Sequence, residues 1–346
     1  MASQDANFSY DTGPVCAALR RVHQAMQAHL MRQLREQSVE VLSRPAGECP
    51  SDVIYHIDRS VEGVLLQGLE AELASLLSFV LVCEGIGELG EPLTFPPGTP
   101  VERCQARVII DPIDGTRAIM YDKRSAWILT GVAPNLGEAT SLRDINIAVQ
   151  TEVPTTRAAW ADAFWTVRGH GVRGESLNLL TGEARPARPR PSQAHTIEGG
   201  FAMLVHFFPL GKKLLSEIEE EVIAELLGEG GMIRPIVFDD QYISTGGQFY
   251  ELLVGHDRMI GDVRGLLNDR WRREGRPAGM TCHPYDACTA LILEEAGVTV
   301  CRPDGHPLDH RLTTTGEVSW VGYANEHLRR SVEPVLQRRL RAHGLL

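Results

Sequence analysis

The sequence predicts a layered protein of the α/β or α+β class. Three observations lead to this prediction. Amphipathic helical stretches and short apolar strand-like stretches follow one another along the chain, no internal repeat is visible, and 346 residues suit one large unit or two closely packed lobes. A chain of this length can also bury a sizeable core.

The first half of the chain predicts two helices followed by several strands. Apolar residues at helical spacing predict helices over residues 14–40 and 61–77. Short apolar runs predict strands over residues 79–83, 107–110, 126–133, 145–153 and 163–167. The first of these strands is followed by Glu84 and the second runs directly into Asp111, so carboxylates are expected at strand ends.

A segment rich in proline and arginine over residues 181–194 predicts an exposed loop. We place a lobe boundary there, between an N-terminal α+β lobe over 1–185 and a C-terminal α/β lobe over 186–346. Within the second lobe, the pattern predicts strands over 201–208, 298–302 and 318–324, and helices over 212–228, 248–255, 286–297 and 325–344.

Composition argues against several classes of protein. A net charge of −11 does not suit a nucleic-acid binder, which needs a basic face. The seven scattered cysteines form no CxxC pair, so we expect reduced thiols rather than a zinc or dithiol site. No run approaches the roughly 20 apolar residues of a membrane span, and the polar start lacks the features of a secretory signal. We therefore expect a soluble protein of the cytoplasm.

The hexapeptide Asp111-Pro112-Ile113-Asp114-Gly115-Thr116 carries the strongest chemical signal. Two carboxylates three residues apart across a proline-fixed turn can converge on one point, and Gly115 permits a tight turn. Oxygen ligands of this kind suit Mg²⁺, which keeps several waters and shares its shell with phosphate. The backbone N–H groups of Gly115 and Thr116 could bind phosphate oxygens. In isolation, an ordinary surface turn is the alternative interpretation.

At this hexapeptide the sequence resembles the inositol monophosphatase superfamily of lithium-sensitive, Mg²⁺-dependent phosphatases. Three further segments agree with that family in order and spacing. Asp58 and Glu62 are similar to its Asp-x-x-x-Glu segment, Glu84 to its metal-binding glutamate after a strand, and Asp286 to the aspartate of its Trp-Asp-x-Ala-Ala segment. The resemblance is anchored over roughly residues 50–300.

The resemblance implies a layered α-β-α-β-α sandwich with the site between two lobes, and a homodimer. It implies that two or three Mg²⁺ ions are bound by four carboxylates and one main-chain carbonyl, those of Glu84, Asp111, Asp114, Asp286 and Ile113. It further implies that Thr116 and Asp58 orient and deprotonate the attacking water, so that no covalent phosphoenzyme is needed.

The chain also departs from the family's pattern. Gly85 stands where a second glutamate is common, and Tyr285 replaces a tryptophan. Arg117 follows the hexapeptide, where it either adds positive charge near the phosphate or faces solvent. Asp257 and Arg258 lie in the region where the family builds its substrate pocket; a solvated turn is the alternative for them.

The predicted function is hydrolysis of a small phosphate monoester, inositol monophosphate-like or a sugar phosphate, with a small phosphorylated metabolite as the partner. A sugar-bisphosphatase or a 3′(2′),5′-bisphosphate nucleotidase would share the metal core and differ in the pocket. Two alternatives from other classes are a catalytically silent metal-binding regulator and a purely structural cation site. The retained pair Asp58 and Thr116 favours an enzyme, because a silent protein has no need to activate water.

Overall fold

Helices and β-sheets alternate as layers in this protein. The computed structural model describes residues 10–48, 53–86, 92–228 and 235–346. The helices are α1 (Thr12–Glu36), α2 (Val39–Leu42), α3 (His56–Gly68), α4 (Thr116–Ile119), α5 (Lys212–Leu227), α6 (Thr245–Val254), α7 (Arg264–Arg273), α8 (Ala290–Glu295) and α9 (Glu326–Ala342). The strands are β1 (Pro45–Glu48), β2 (Val53–Tyr55), β3 (Phe79–Cys83), β4 (Leu93–Phe95), β5 (Ala106–Asp114), β6 (Ala126–Pro134), β7 (Ile147–Val153), β8 (Trp160–Val167), β9 (Val172–Asn178), β10 (Ala184–Ala187), β11 (Gly200–Leu204), β12 (Val237–Phe238), β13 (Asp257–Asp262), β14 (Thr299–Cys301) and β15 (Trp320–Tyr323).

An eight-stranded sheet with the order β10-β9-β8-β7-β6-β5-β3-β4 forms the larger sheet layer. Strands β3 and β5 are parallel, and the other neighbours are antiparallel. Ile110 and Ile128 point into the core on one face, whereas Ile109 and Leu129 point into the core on the other. Because both faces are covered, these central strands read as continuous apolar runs rather than alternating ones.

The remaining layers follow from which helices cover which face. Helices α1 and α3 pack on the outer face of the eight-stranded sheet, while α6 and α8 lie between it and a five-stranded sheet of order β12-β11-β13-β15-β14. Helices α5 and α9 pack together outside the smaller sheet. The layered α-β-α-β-α sandwich predicted from the sequence is confirmed.

The segment over residues 181–194 differs from its prediction as an exposed loop. Its residues 184–187 form β10, the edge strand that pairs with β9. The chain then crosses from the larger sheet to the smaller one between Ala187 and Gly200. Neither β9 nor β10 was predicted, because their sequences lack an apolar run.

The thiol prediction holds for the part of the chain that the structure describes. Six cysteines there are free and buried: Cys16, Cys83, Cys104, Cys282, Cys288 and Cys301. Cys49 and the N-terminal nine residues lie outside the described ranges. Among the helices described, none combines the length and the apolar character needed to cross a bilayer.

Candidate active site

Asp111 and Asp114 come together through an irregularity at the end of β5. Asp111 pairs with Leu129 and Asp114 pairs with Trp127. The chain therefore advances by three residues on β5 but by only two on β6, which is a β-bulge. Residues three apart on a regular strand point to opposite faces, and the extra residue of a bulge removes that opposition. The expected proline-fixed turn is therefore a bulged strand end that directs both carboxylates into one cluster with Asp286.

Asp114 is held by the N-terminus of α6. Its Oδ2 accepts hydrogen bonds from the Ser244 hydroxyl (2.9 Å) and from the Gly246 N–H (2.5 Å). Ser244 is also the N-cap of α6, where its Oγ accepts from the Gly247 N–H at 2.8 Å. A cap on one helix thereby positions a carboxylate that the distant β5 supplies.

Asp286 reaches the cluster from a turn rather than from a helix. Helix α8 begins at Ala290, four residues later than predicted. The Oδ2 atom of Asp286 accepts the His283 N–H at 2.6 Å, and its carboxyl group hydrogen-bonds that of Asp111. One carboxylate oxygen from each of Asp111, Asp114 and Asp286 lies within 4.8 Å of the others.

Burial and mutual repulsion make this cluster hold protons tightly. Burial, followed by the charge of Glu84, holds the pKa of Asp111 well above its usual range. Burial and the nearby Asp286 raise the pKa of Asp114 to about 8, although the donors at Ser244 and Gly246 oppose the change. Burial also raises the pKa of Asp286 to about 6. A bound cation would stabilise the ionised form of all three carboxylates.

Thr116 and Asp58 meet beside the cluster, as the sequence predicted. The Thr116 hydroxyl lies 3.0 Å from Oδ1 of Asp58 and 2.8 Å from the Ile113 carbonyl oxygen. The other oxygen of Asp58 accepts the Tyr55 N–H at 2.7 Å, in the first turn of α3. The carboxylate is thus fixed by the backbone and presents one oxygen to the threonine.

Gly115 is required by the geometry between Asp114 and Thr116. Its φ is +98°, a left-handed conformation that side chains rarely adopt. A Cβ atom added here would lie 3.1 Å from Cβ of Ser244. Both the backbone conformation and the close approach of α6 therefore demand glycine.

An open cleft with a cavity volume of about 80 Å³ lies above the cluster. Glu84, which follows β3, and Arg117 line it, so that of the two alternatives for Arg117 the structure has the one near the cleft. The Arg117 guanidinium lies 5.8 Å from the ring centroid of Tyr55 and 5.6 Å from that of Phe208. Arg117 therefore lies at an aromatic rim and not simply in solvent.

The residues of the opposite wall of the cleft were not predicted from the sequence. Arg264, at the start of α7, is buried and binds Asp262 with two contacts of 2.9 and 2.6 Å. Its guanidinium stacks 4.4 Å from the ring centroid of Phe207. The only signal was the spacing Asp-x-Arg, which is too short to distinguish a buried pair from a solvated one.

Asp257 and Arg258 require a correction. Both residues lie at the start of β13, about 16 Å from Asp262 at the other end of the strand. Neither Asp257 nor Arg258 lines the cleft around the carboxylate cluster. Arg258 instead donates to the carbonyl oxygens of Thr196, Glu198 and Gly199. Neither residue therefore lies with the other candidate site residues in this cleft.

The fold defines a class, the layered fold that solved structures of inositol monophosphatases and a fructose-1,6-bisphosphatase share. The similar structures include the extragenic suppressor protein SuhB of Bartonella henselae, with 16% identity and a TM-score of 0.59 over 94% of this chain and 98% of that one. Fructose-1,6-bisphosphatase of Leishmania major matches with 15% identity and a TM-score of 0.61 over 94% and 93%. An inositol monophosphatase of Zymomonas mobilis matches with 14% identity and a TM-score of 0.54 over 94% and 96%.

These similarities confirm, at the level of the fold, the resemblance found in the sequence motifs. No protein-family model matches the chain, and no curated protein matches it in sequence. The structural agreement extends over almost the full length of the chain, beyond the residues that the motifs cover.

The donor set fits a hard divalent cation. Asp111, Asp114 and Asp286 offer only oxygen atoms, and burial together with the neighbouring carboxylates raises the pKa of each of Asp111 and Asp114. Magnesium prefers such oxygen ligands and completes its shell with water and phosphate. The residues therefore suit Mg²⁺ better than a soft metal that favours sulfur or imidazole.

Proposed function

We propose that this protein is a Mg²⁺-dependent phosphatase that hydrolyses a small phosphate monoester. The convergence of three carboxylates, those of the buried Asp111 and Asp114 and of the partly buried Asp286, next to a threonine–aspartate pair is the observation that carries the proposal. A structural cation site would not need that pair. The names of the structural neighbours, inositol monophosphatase and fructose-1,6-bisphosphatase, support phosphatase chemistry on this fold.

The ligands in this proposal are those expected from the sequence: Glu84, Asp111, Asp114, Asp286 and the carbonyl of Ile113. Bound Mg²⁺ would lower the pKa of a water molecule and balance the charge of the phosphate. With the Ile113 carbonyl engaged as a ligand, the single hydrogen of the Thr116 hydroxyl is donated to Asp58. The threonine oxygen then accepts a proton from the attacking water, and Asp58 receives the proton that Thr116 passes on.

The cleft favours a monophosphate over a bisphosphate. Among the residues that the structure describes, two guanidinium groups line it, and Arg264 is already paired with Asp262. A second phosphate would need a further cationic pocket. Arg117 and the aromatic rim suit an inositol or sugar phosphate, whose ring carries apolar C–H faces. Lithium inhibition and a homodimeric state stay predictions from the resemblance, and a cytoplasmic location stays a prediction from the sequence composition.

The direct test is release of inorganic phosphate from inositol phosphates, sugar mono- and bisphosphates and 3′-phosphonucleotides, with Mg²⁺ or EDTA. We expect release that requires both Mg²⁺ and Asp111, so Asp111→Asn should abolish it. Glu217→Gln, on an exposed position of α5, is the matched control and should keep full activity. Turnover of a generic aryl phosphate alone would indicate a specialised pocket, whereas inactivity on every substrate would favour the silent regulator.

A further inference from the structure

We propose that His206, Glu219 and Asp239 form a second metal site, suited to a transition-metal dication such as Zn²⁺. One ligand atom from each side chain lies within 4.8 Å of the other two. The Nε2 atom of His206 is 3.5 Å from Oδ2 of Asp239 and 4.0 Å from Oε2 of Glu219. None of these residues lines the cleft of the carboxylate cluster.

The spacing is close to what zinc requires. Four-coordinate zinc with bonds of about 2.0–2.2 Å places neighbouring ligand atoms about 3.3–3.5 Å apart. The contact between His206 and Asp239 already has this separation, and the Glu219 oxygen, 4.0 Å from the imidazole and within 4.8 Å of the Asp239 oxygen, must move inward to complete the site. Three protein ligands leave a fourth position for water.

A hydrogen-bond network positions the two carboxylates and the backbone of His206. Gln241 donates to Oδ1 of Asp239 at 2.8 Å, which leaves Oδ2 directed at His206. The Gln241 side chain also accepts the backbone N–H of His206 at 2.8 Å and donates to the Leu204 carbonyl at 2.9 Å. The Leu204 N–H in turn donates to Oε2 of Glu219 at 2.5 Å. Such outer contacts are typical of metal sites, because they fix the geometry of the ligands before binding.

The charges around the cluster also favour a cation. Burial, and then the charge of Asp239, raise the pKa of Glu219 to about 8. Across the described ranges of the chain, the imidazole of His206 is the only basic side chain within ion-pair distance of Glu219 or Asp239. A bound dication would compensate both carboxylates and let the imidazole serve as a neutral ligand.

The mixed donor set separates this site from the first one. Imidazole together with carboxylates suits Zn²⁺ and similar transition metals, while Mg²⁺ prefers oxygen alone. The position matters for the cleft, because His206 precedes Phe207 and Phe208, two residues of its wall. Asp239 precedes Asp240, whose carboxylate binds Arg124 with two contacts of 2.7 Å. The metal would therefore tie the aromatic wall to helix α5.

The test measures metal binding and not phosphate release. The full chain carrying Asp111→Asn and Asp286→Asn, which disrupts the first cluster, is freed of metal with a chelator. It is then titrated with Co²⁺, followed by its visible absorption, and with Zn²⁺ by calorimetry. We expect one ion per chain with the absorption of a tetrahedral nitrogen–oxygen site. Because no turnover is measured, this result is independent of the proposed phosphatase function.

Variants then locate the ion. His206→Ala and Glu219→Gln should abolish the signal, and Gln241→Ala should weaken binding by about 10- to 100-fold. His256→Ala is the matched control, since His256 contacts Glu251 at 2.5 Å at a separate exposed place and should leave binding unchanged. If His206→Ala fails to fold, Asp239→Asn replaces it. Absence of a bound ion, or binding unaffected by these ligand substitutions, would overturn the proposal in favour of a simple histidine–carboxylate contact.

Discussion

At the scale of single residues, Asp114 shows how a folded chain can prepare a carboxylate for a cation. Burial among like charges raises its pKa, while the hydroxyl of Ser244 and the N–H of Gly246 still hold one of its oxygens in place. The proton that Asp114 retains without metal is the competitor that Mg²⁺ must displace.

Magnesium affinity should therefore increase with pH. The raised pKa values, about 6 for Asp286 and about 8 for Asp114, mean that both groups lose protons between pH 5 and 9. Cation binding requires the ionised form, so affinity should rise through this range and level off above it. Calorimetry at several pH values, in buffers of different ionisation enthalpy, should show proton release on binding. A pH-independent affinity without proton release would contradict the cluster as the binding site.

The Thr116 hydroxyl should matter for turnover and little for binding. Thr116→Val removes the group that links the attacking water to Asp58, and we expect kcat to fall by about 10²- to 10⁴-fold with KM nearly unchanged. Thr116→Ser should restore most of the rate. Ser60→Ala is a suitable control, because Ser60 lies on the same helix as Asp58 but donates only to the Ile57 carbonyl. An equal effect on KM and kcat would instead indicate general damage.

Residues that could be predicted from the sequence are those whose role is encoded locally. Asp111, Asp114 and Thr116 follow one another within six positions, so their convergence is visible in the chain. The partner that holds Asp114, Ser244, is 130 positions away. That pairing depends on how α6 packs against β6, and no local pattern records it.

At the scale of secondary-structure elements, helix α6 both caps itself and supports the site. Ser244→Ala removes the cap and should lower the free energy of unfolding by about 0.5–2 kcal/mol. It also removes a donor to Asp114, so the pKa of that carboxyl should rise further and Mg²⁺ affinity should fall. Chemical denaturation and calorimetry measure the two effects. Asn325→Ala, at the cap of α9, is the matched control, expected to lower stability and leave Mg²⁺ affinity unchanged.

Helix α7 should depend on its buried ion pair. Arg264→Met leaves Asp262 buried without its charged partner, and we expect a loss of about 3–5 kcal/mol in the free energy of unfolding. Replacing both residues, as Asp262→Asn with Arg264→Met, should recover much of that loss. A double variant that is as unstable as the single one would show that packing of Arg264 on Phe207, rather than charge, stabilises this element.

The elements that escaped prediction share a physical cause. Strand β13 (DRMIGD) has polar residues at both ends, and it is a strand because it pairs with β11 on one side and β15 on the other, in the middle of the smaller sheet. Tertiary partners thus override local polarity. Long apolar strands such as β6 were predictable, because burial on both faces leaves a continuous apolar run.

At the scale of the whole molecule, the site joins the two sheets. Asp111 and Asp114 extend from the larger sheet, whereas Asp286 belongs to the part of the chain that packs with the smaller one. Mg²⁺ should therefore stabilise the folded chain as a unit, by about 2.7 kcal/mol at a concentration 100 times the Kd.

Without bound Mg²⁺, Asp111→Asn should raise the thermal stability of the chain rather than lower it. The folded-state pKa of Asp111 lies above its unfolded value, so the ionised carboxylate destabilises the folded chain. This destabilisation is absent in acid, where the carboxyl group is protonated, and it grows as pH rises. Without Mg²⁺ the variant should therefore melt at a higher temperature than the wild type near pH 7, and at a similar temperature near pH 4. With Mg²⁺ the wild type should gain stability and the variant should not. Thermal melts in all four conditions would reveal a variant that is uniformly less stable, which would contradict this view.

The edge strand β10 has a consequence for solubility. An open sheet edge is a template on which another chain can add a strand, and such addition leads to aggregation. Here the edge is four residues long and carries Arg185 and Pro186, of which the proline lacks an N–H and the arginine adds charge. Further arginines and prolines follow over residues 188–191. The prolines and arginines that made this segment resemble a loop therefore oppose the addition of another strand to the eight-stranded sheet.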